Sequence, residues 1–260
     1  MRVLICILFF AALPLRAEEV DVELVLAVDV SRSMQLNELD IQRRGYAEAL
    51  QSPEVIEAIT GGMIGAIALS YVEWGGAGSY RLIVPWTRIE SAEDAGRVAD
   101  IIEGHFETTL RQTSISWAID LSLDLFQSNN FNGLRRVIDV SGDGPNNSGT
   151  PVDAARDRAL AQGIIINGLP LMTRDAMSDR WGIPDLDAYY RNCVIGGPGA
   201  FVIPVRDSSE FASAVRRKLV LEIAGRTPPI PPRVLPVAAY DCQIGERIWR
   251  RNMQRDWVEP

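Results

Sequence analysis

Residues 20–33 read Val-Asp-Val-Glu-Leu-Val-Leu-Ala-Val-Asp-Val-Ser-Arg-Ser. The stretch alternates at first and then becomes almost continuously apolar from Leu24, as expected of a strand entering a sheet that is covered on both faces. It ends at Asp29. Residues 36–50 follow with apolar positions at Leu36, Leu39, Ile41, Tyr46, Ala49 and Leu50, a helical spacing. Residues 65–74 and 80–86 are two strands around Gly75-Gly76-Ala77-Gly78, a link short enough for an antiparallel hairpin but not for a parallel crossover. Helices are expected over 91–103, opened by a Ser-x-x-Asp capping signal, and over 114–126. A strand over 135–141 leads into a turn-rich loop, then a helix over 152–162, a strand over 164–169, a short strand over 201–205 and a helix over 208–224. Strand and helix alternating in this way, with one hairpin, predict an α/β doubly wound, mostly parallel sheet with one antiparallel edge strand and helices on both faces. Ligands of such sheets gather at the carboxyl ends of the strands.

Residues 1–17 read as a secretory signal peptide: Arg2, an apolar run from Val3 to Leu15, then Leu15-Arg16-Ala17. The run is shorter than a membrane span and holds Pro14, which favours a cleaved leader over an uncleaved anchor. Cys6 sits inside the run, away from the cleavage point, which argues against lipidation there. Removal of residues 1–17, with Arg2 and Arg16, takes the formal net charge from −8 to about −10. An acidic chain of this kind does not suit nucleic acid or an anionic membrane as partner. Residues 18–226 form one domain in this reading. Residues 227–260 are a Pro-rich linker (Thr227 to Pro236) and a C-terminal tail, with no stable membrane anchor after signal cleavage. A periplasmic or secreted protein meets an oxidising compartment, where Cys193 and Cys242 can close a disulfide and tie the tail to the domain; two free thiols are the other reading.

Asp29, Ser31 and Ser33 stand directly after the first strand, where a loop can turn one carboxylate and two hydroxyls toward one point above the sheet. All are oxygen donors, which hard divalent cations prefer. Asp-x-Ser-x-Ser at the end of a first hydrophobic strand resembles the metal-ion-dependent adhesion site (MIDAS) of von Willebrand factor A domains. Two further parts of that pattern follow in order. Thr113 precedes the helix expected over 114–126, and Asp143 lies in Ser141-Gly142-Asp143-Gly144, where the family commonly reads Thr-Asp-Gly. The resemblance spans roughly residues 20–225. It implies a Rossmann-like von Willebrand factor A fold and a metal site in which Ser31, Ser33 and Thr113 hold Mg²⁺, with Mn²⁺ and Ca²⁺ sharing its ligand preferences. Asp29 and Asp143 support the ion directly or through water, and an acidic side chain of a protein partner completes the shell. The function implied is cation-dependent adhesion or assembly by an exported bacterial protein, not catalysis.

Three alternatives use the same residues. Asp29 and Ser31 could cap the following helix. The chain could be a structural module whose fold a metal stabilises. Asp29 and the Gly142-Asp143-Gly144 loop are also similar to haloacid dehalogenase-like phosphatases, whose first aspartate attacks phosphorus. There a second aspartate and a lysine are needed as well, but this chain has Ser31 and Asn147 where acids belong, and its single lysine, Lys218, falls far after the loop. His105 is the only histidine and no Gly-x-Ser-x-Gly elbow occurs, which disfavours nucleophilic hydrolysis. The glycine clusters at 75–78 and 196–199 read as turns, Trp74, Trp86 and Trp117 as core, and Trp249 as part of a tail packed on the domain.

Overall fold

The eight residues of Val22–Asp29 are all buried, so this strand has no solvated face and both of its sides must be covered by other elements. A computed structural model describes residues 17–105, 108–173, 181–228 and 240–258. The signal peptide expected over 1–17 and the Pro-rich linker over 227–236 therefore lie almost wholly outside the described residues. The strands are β1 (Glu18–Val20), β2 (Val22–Asp29), β3 (Ile67–Trp74), β4 (Tyr80–Ile89), β5 (Phe131–Gly133), β6 (Arg136–Gly142) and β7 (Ile165–Pro170). The helices are α1 (Leu36–Leu50), α2 (Pro53–Thr60), α3 (Ala92–Gly104), α4 (Ile115–Gln127), α5 (Val152–Ala161), α6 (Leu186–Tyr189), α7 (Phe211–Ile223) and α8 (Ile244–Val258). A π-helical turn, Tyr190–Val194, continues α6, and a 3₁₀ turn, Ser208–Glu210, precedes α7.

Five strands make the main sheet in the order β4-β3-β2-β6-β7, parallel except for the β3–β4 hairpin at one edge. This is the sheet predicted from the alternation of elements. The strand expected over 201–205 is reduced to isolated bridges beside β7, at Val202 and Val205. β1 and β5 form a separate two-stranded parallel ribbon.

The period of two along β2 distributes its side chains between two cores. Leu24, Leu26 and Val28 pack with Leu39 and Tyr46 of α1, Val98 of α3 and Leu219 of α7. Val25 and Ala27 pack with Ile119 of α4, Ala155 of α5 and Tyr190 on the other face. Trp74 is fully buried as expected, whereas Trp86 and Trp117 are half-buried, Trp86 donating its indole N–H to the Leu125 carbonyl at 2.9 Å.

One charged cluster is enclosed by the first core. The Lys218 ammonium on α7 lies 2.6 Å from Asp139 Oδ1 on β6 and is also paired with Glu222, one helical turn on. Asn167 Nδ2 donates to Glu222 Oε1 at 2.9 Å. Two carboxylates face one ammonium away from water, and burial pushes the Glu222 carboxyl up to about 7, against the pull of Lys218. A glutamate in the unfolded chain titrates near 4.5, so the folded state holds this proton more tightly. The stability tied to it is complete below pH 4.5 and is lost as pH rises toward 7. Urea titrations are expected to give a lower midpoint at about pH 7.5 than at about pH 5, with Glu222→Gln shrinking the difference; an equal difference in the variant would contradict the assignment.

Candidate functional site

Three segments meet at the carboxyl edge of the sheet. The first is the turn after β2. Asp29 Oδ1 accepts the Ser31 backbone N–H at 2.7 Å, which folds the chain back at once and brings the Ser31 and Ser33 hydroxyl oxygens to 3.0 Å in a hydrogen bond. Gln42 of α1 donates to the Asp29 carbonyl at 3.2 Å. The second is the loop after β6, where Asp143 Oδ1 accepts the Ser33 hydroxyl at 2.9 Å. The third is the loop before α4. It is pinned to the strand ends by Leu110 N–H to Val30 O and by Gly76 N–H to Arg111 O, both 2.8 Å. Thr113 exchanges two bonds with Asn147, its N–H to Oδ1 at 3.0 Å and its carbonyl from the Asn147 N–H at 2.9 Å.

Asp29, Ser31, Ser33 and Asp143 are thus joined in one hydrogen-bonded chain. Thr113, buried like Asp29, Ser31 and Asp143, shares a cleft with Ser31 and the half-buried Ser33. The helix-cap alternative is not met: α1 starts at Leu36, and Gln35 N–H with the Glu38 carboxylate, 2.8 Å apart, takes that role. Lys218 is enclosed in the core cluster and does not reach the site as a phosphatase lysine would.

The electrostatics single out Asp29. Its carboxyl is raised well above the ordinary value, first by burial and then by the charge of Asp143, with hydrogen bonding to Ser31 and to the Asp143 backbone opposing. Oδ2 is buried without a hydrogen-bond partner, and so is the Tyr190 hydroxyl. An unpartnered buried carboxylate oxygen is costly. Its neighbours are hydroxyls and a second carboxylate, a donor set that fits a hard divalent cation. Among the described residues no three His, Cys, Asp or Glu side chains gather to hold a metal. A cation here would therefore rest on hydroxyls with two carboxylates.

Several contributors escaped the sequence reading. Gln112, immediately before Thr113, has φ 64°, the one positive value outside glycine among the described residues. Such backbone is strained for a side-chain-bearing residue and recurs where a neighbour must be aimed. Gly142, the departure from the Thr-Asp-Gly pattern, has a direct reason. A Cβ there would lie 2.9 Å from Asp29 Oδ2 and 3.1 Å from the Tyr190 hydroxyl. Asn146 accepts the Ser116 N–H of α4 and donates to Glu246 of α8, both within 3.0 Å. The tail expected after the linker is therefore a 15-residue helix held against the site, and a Cys193–Cys242 disulfide joins it to the domain.

The sheet order, the helices on both faces and the position of the cleft define an α/β fold of the von Willebrand factor A type. Similar folds are proximal thread matrix protein 1 of the mussel byssus (14% identity, TM-score 0.58, covering 80% of this chain and 49% of that one) and the pilus adhesin SpaC of Lactobacillus rhamnosus GG (11%, 0.58, 80% and 32%). A von Willebrand factor type A protein of Catenulispora acidiphila is similar as well (16%, 0.53, 79% and 43%). A further structure of the mussel protein has a zinc-occupied MIDAS motif. The chain spans about half the length of the mussel protein and about a third of the adhesin, and at these identities the likeness is one of fold. The chain belongs to the family described as protein of unknown function (DUF1194), whose family model matches residues 19–227. No curated protein matches it.

Gly142→Ala is expected to destabilise the protein by about 1–3 kcal/mol through overpacking, whereas Gly144→Ala, whose Cβ would meet nothing within 4 Å, should stay within about 0.5 kcal/mol. Denaturant unfolding of both variants checks this; equal losses would mean that the Asp29–Tyr190 approach does not dictate the glycine.

Proposed function

We propose that the chain is a divalent-cation-dependent protein-binding domain, acting in adhesion or assembly outside the cytoplasm. Ser31, Ser33 and Thr113 hold the cation, which is Mg²⁺ or an ion of similar preference such as Mn²⁺ or Ca²⁺. Asp29 and Asp143 support it, and a carboxylate from the partner completes the shell. The observation that carries this reading is the buried Asp29 Oδ2 without a hydrogen-bond partner, at one end of a hydrogen-bonded chain through Ser31 and Ser33 to Asp143 whose two hydroxyls line a cleft with Thr113.

When bound, the cation supplies a positive charge that is not fully neutralised, to which an acidic side chain is attracted. The chain's own groups do the positioning. The Ser31 N–H fixes one Asp29 oxygen and leaves the other free. Ser33 and Asp143 hold each other, and the Asn147 clamp holds the backbone on both sides of Thr113. Ser31 stands where a phosphatase would carry its proton-transferring aspartate, and Lys218 is committed to the core, so binding is favoured over phosphoryl transfer. Export is supported by the Cys193–Cys242 bond, since disulfides persist in oxidising compartments. No helix among the described residues is long and apolar enough to cross a membrane.

Calorimetric titration of the chelator-treated protein with Mg²⁺ and Mn²⁺ tests the proposal. Asp29→Ala and Ser33→Ala are each expected to weaken cation binding by about tenfold or more, by analogy with losses at supporting positions of metal sites. Equal binding by wild type and Asp29→Ala would remove the site assignment. Phosphomonoester turnover that disappears in Asp29→Ala would put the enzyme reading in its place.

A further inference from the structure

The segment leading into α8 is anchored on the second core, and the helix itself lies against the site. Cys242 is bonded to Cys193, and the Tyr240 hydroxyl donates to Asp185 Oδ2 at 2.9 Å. Asn146 Nδ2 donates to Glu246 Oε1 at 2.8 Å. A Cβ on Gly245 would overlap the Asn146 carbonyl oxygen, so the helix lies directly on the loop that carries Asp143. One turn further on, Trp249 packs on Trp181 with ring centroids 5.0 Å apart.

These rings, with Met253, wall a cleft of about 360 Å³ that Ser31, Ser33 and Thr113 also line. Arg32 and Arg111 line it too, and neither guanidinium has an ion-pair partner among the described residues. The cleft therefore has three chemistries side by side: hydroxyl oxygens, two guanidinium charges, and an apolar wall of two indoles and a thioether. The family match ends at residue 227, so Trp249 and Met253 are supplied from beyond it.

We infer that α8 is one wall of the ligand cleft and that the cleft takes a short peptide segment carrying an aromatic side chain beside a carboxylate. The inference rests on the cation reading above and narrows its partner. The volume is near the lower end of ligand pockets, which run from about 300 Å³ upward, and it accommodates one or two side chains rather than a broad protein face. A carboxylate is drawn by the cation and by Arg32 and Arg111. The adjacent ring gains from burial against Trp181 and Trp249, because aromatic pairs add to the effect of area alone. A carboxylate without an apolar neighbour would leave that wall in water.

The probes are blocked tripeptides, N-acetylated and C-amidated: Phe-Asp-Gly, Gly-Asp-Gly and Phe-Asn-Gly, titrated calorimetrically into the full chain in Mg²⁺. Phe-Asp-Gly is expected to bind about tenfold more tightly than Gly-Asp-Gly, and Phe-Asn-Gly to lose most of its binding. Trp249→Ala should bring the Phe-Asp-Gly advantage below about threefold while Mg²⁺ affinity stays unchanged. Met253→Ala, a smaller change to the same wall, should reduce it part of the way and serves if Trp249→Ala does not fold. Equal binding of Phe-Asp-Gly and Gly-Asp-Gly would overturn the inference, as would an advantage that survives both variants, or tighter binding once the wall is cut back, the result for a helix that obstructs the cleft. Failure of the cation reading looks different: Phe-Asp-Gly binding would be the same in chelator as in Mg²⁺, and dependence of the aromatic advantage on Trp249 would still report on the wall.

Discussion

A strand buried along its whole length sets the terms for everything else in this molecule. β2 pairs in parallel with β3 on one edge and β6 on the other, and its residues from Val22 to Asp29 have no exposed side. Its first inward acid at the carboxyl end is Asp29, fully enclosed where water cannot solvate it. One oxygen is satisfied by the chain's immediate turn at Ser31 and the other is not. A carboxylate in that state raises the energy of the folded protein until something positive meets it. The parallel arrangement also places the loop after β6 at the same edge, because parallel neighbours end together. Asp143 and Gly142 arrive beside Asp29 for that topological reason.

The surrounding contacts keep this costly feature in place. Gly75 accepts the Ser114 N–H and Gly76 donates to Arg111, so the hairpin glycines, read from the sequence as plain turns, also hold the Thr113 loop against the strand ends. Gln112 takes a left-handed backbone between those anchors. Strain of this kind persists where neighbours over-determine it, and functional sites are where proteins keep it. Gly142 belongs to the same account. The missing side chain is what lets two carboxylate-bearing loops and Tyr190 approach one another.

Much of this was legible in the residues because the core elements have strong periods. The spacing from Leu36 to Leu50 reproduces α1 at both ends, and the hairpin, α3, α4, α5 and the strands of the sheet fall within a few residues of their expected limits. What periodicity missed was too short or faced the wrong way. β1 and β5 have three residues each, too few to show alternation. α2 is eight residues opened by Pro53, and in the sequence it merges with the turn that follows α1. α8 was hidden for another reason: its sequence intersperses four arginines among its apolar residues, and Trp249 and Met253 line a cleft rather than the sheet. The five candidate ligands could be proposed by motif because Asp29, Ser31, Ser33 and Asp143 stand at strand ends and Thr113 just before a helix. Tyr190, Asn146 and Trp249 could not, since only the folded chain brings them near Asp143 and Ser33.

The position of the disulfide adds a last step. Cys193 and Cys242 are 49 residues apart, and closing a loop of that size restricts the unfolded chain by roughly 4 kcal/mol in the chain-entropy account. The sheet and its two cores are continuous from β2 outward without residues beyond Cys242 other than Ile244, which packs only at the margin. The bond therefore matters most to the element that has least apolar burial of its own. The contacts of α8 with the body of the domain include Glu246 with Asn146, the close backbone passage at Gly245, Trp249 on Trp181 and Ile244 at the margin of the second core. Each polar contact contributes only about 0.5–1.5 kcal/mol against the entropy of ordering the helix at the end of a proline-rich connection. Fixing the chain to Cys193 two residues before the helix begins raises the effective concentration at which α8 meets the domain. The covalent link thus acts where the fold itself supplies least, at the wall beside the hydroxyls of Ser31, Ser33 and Thr113.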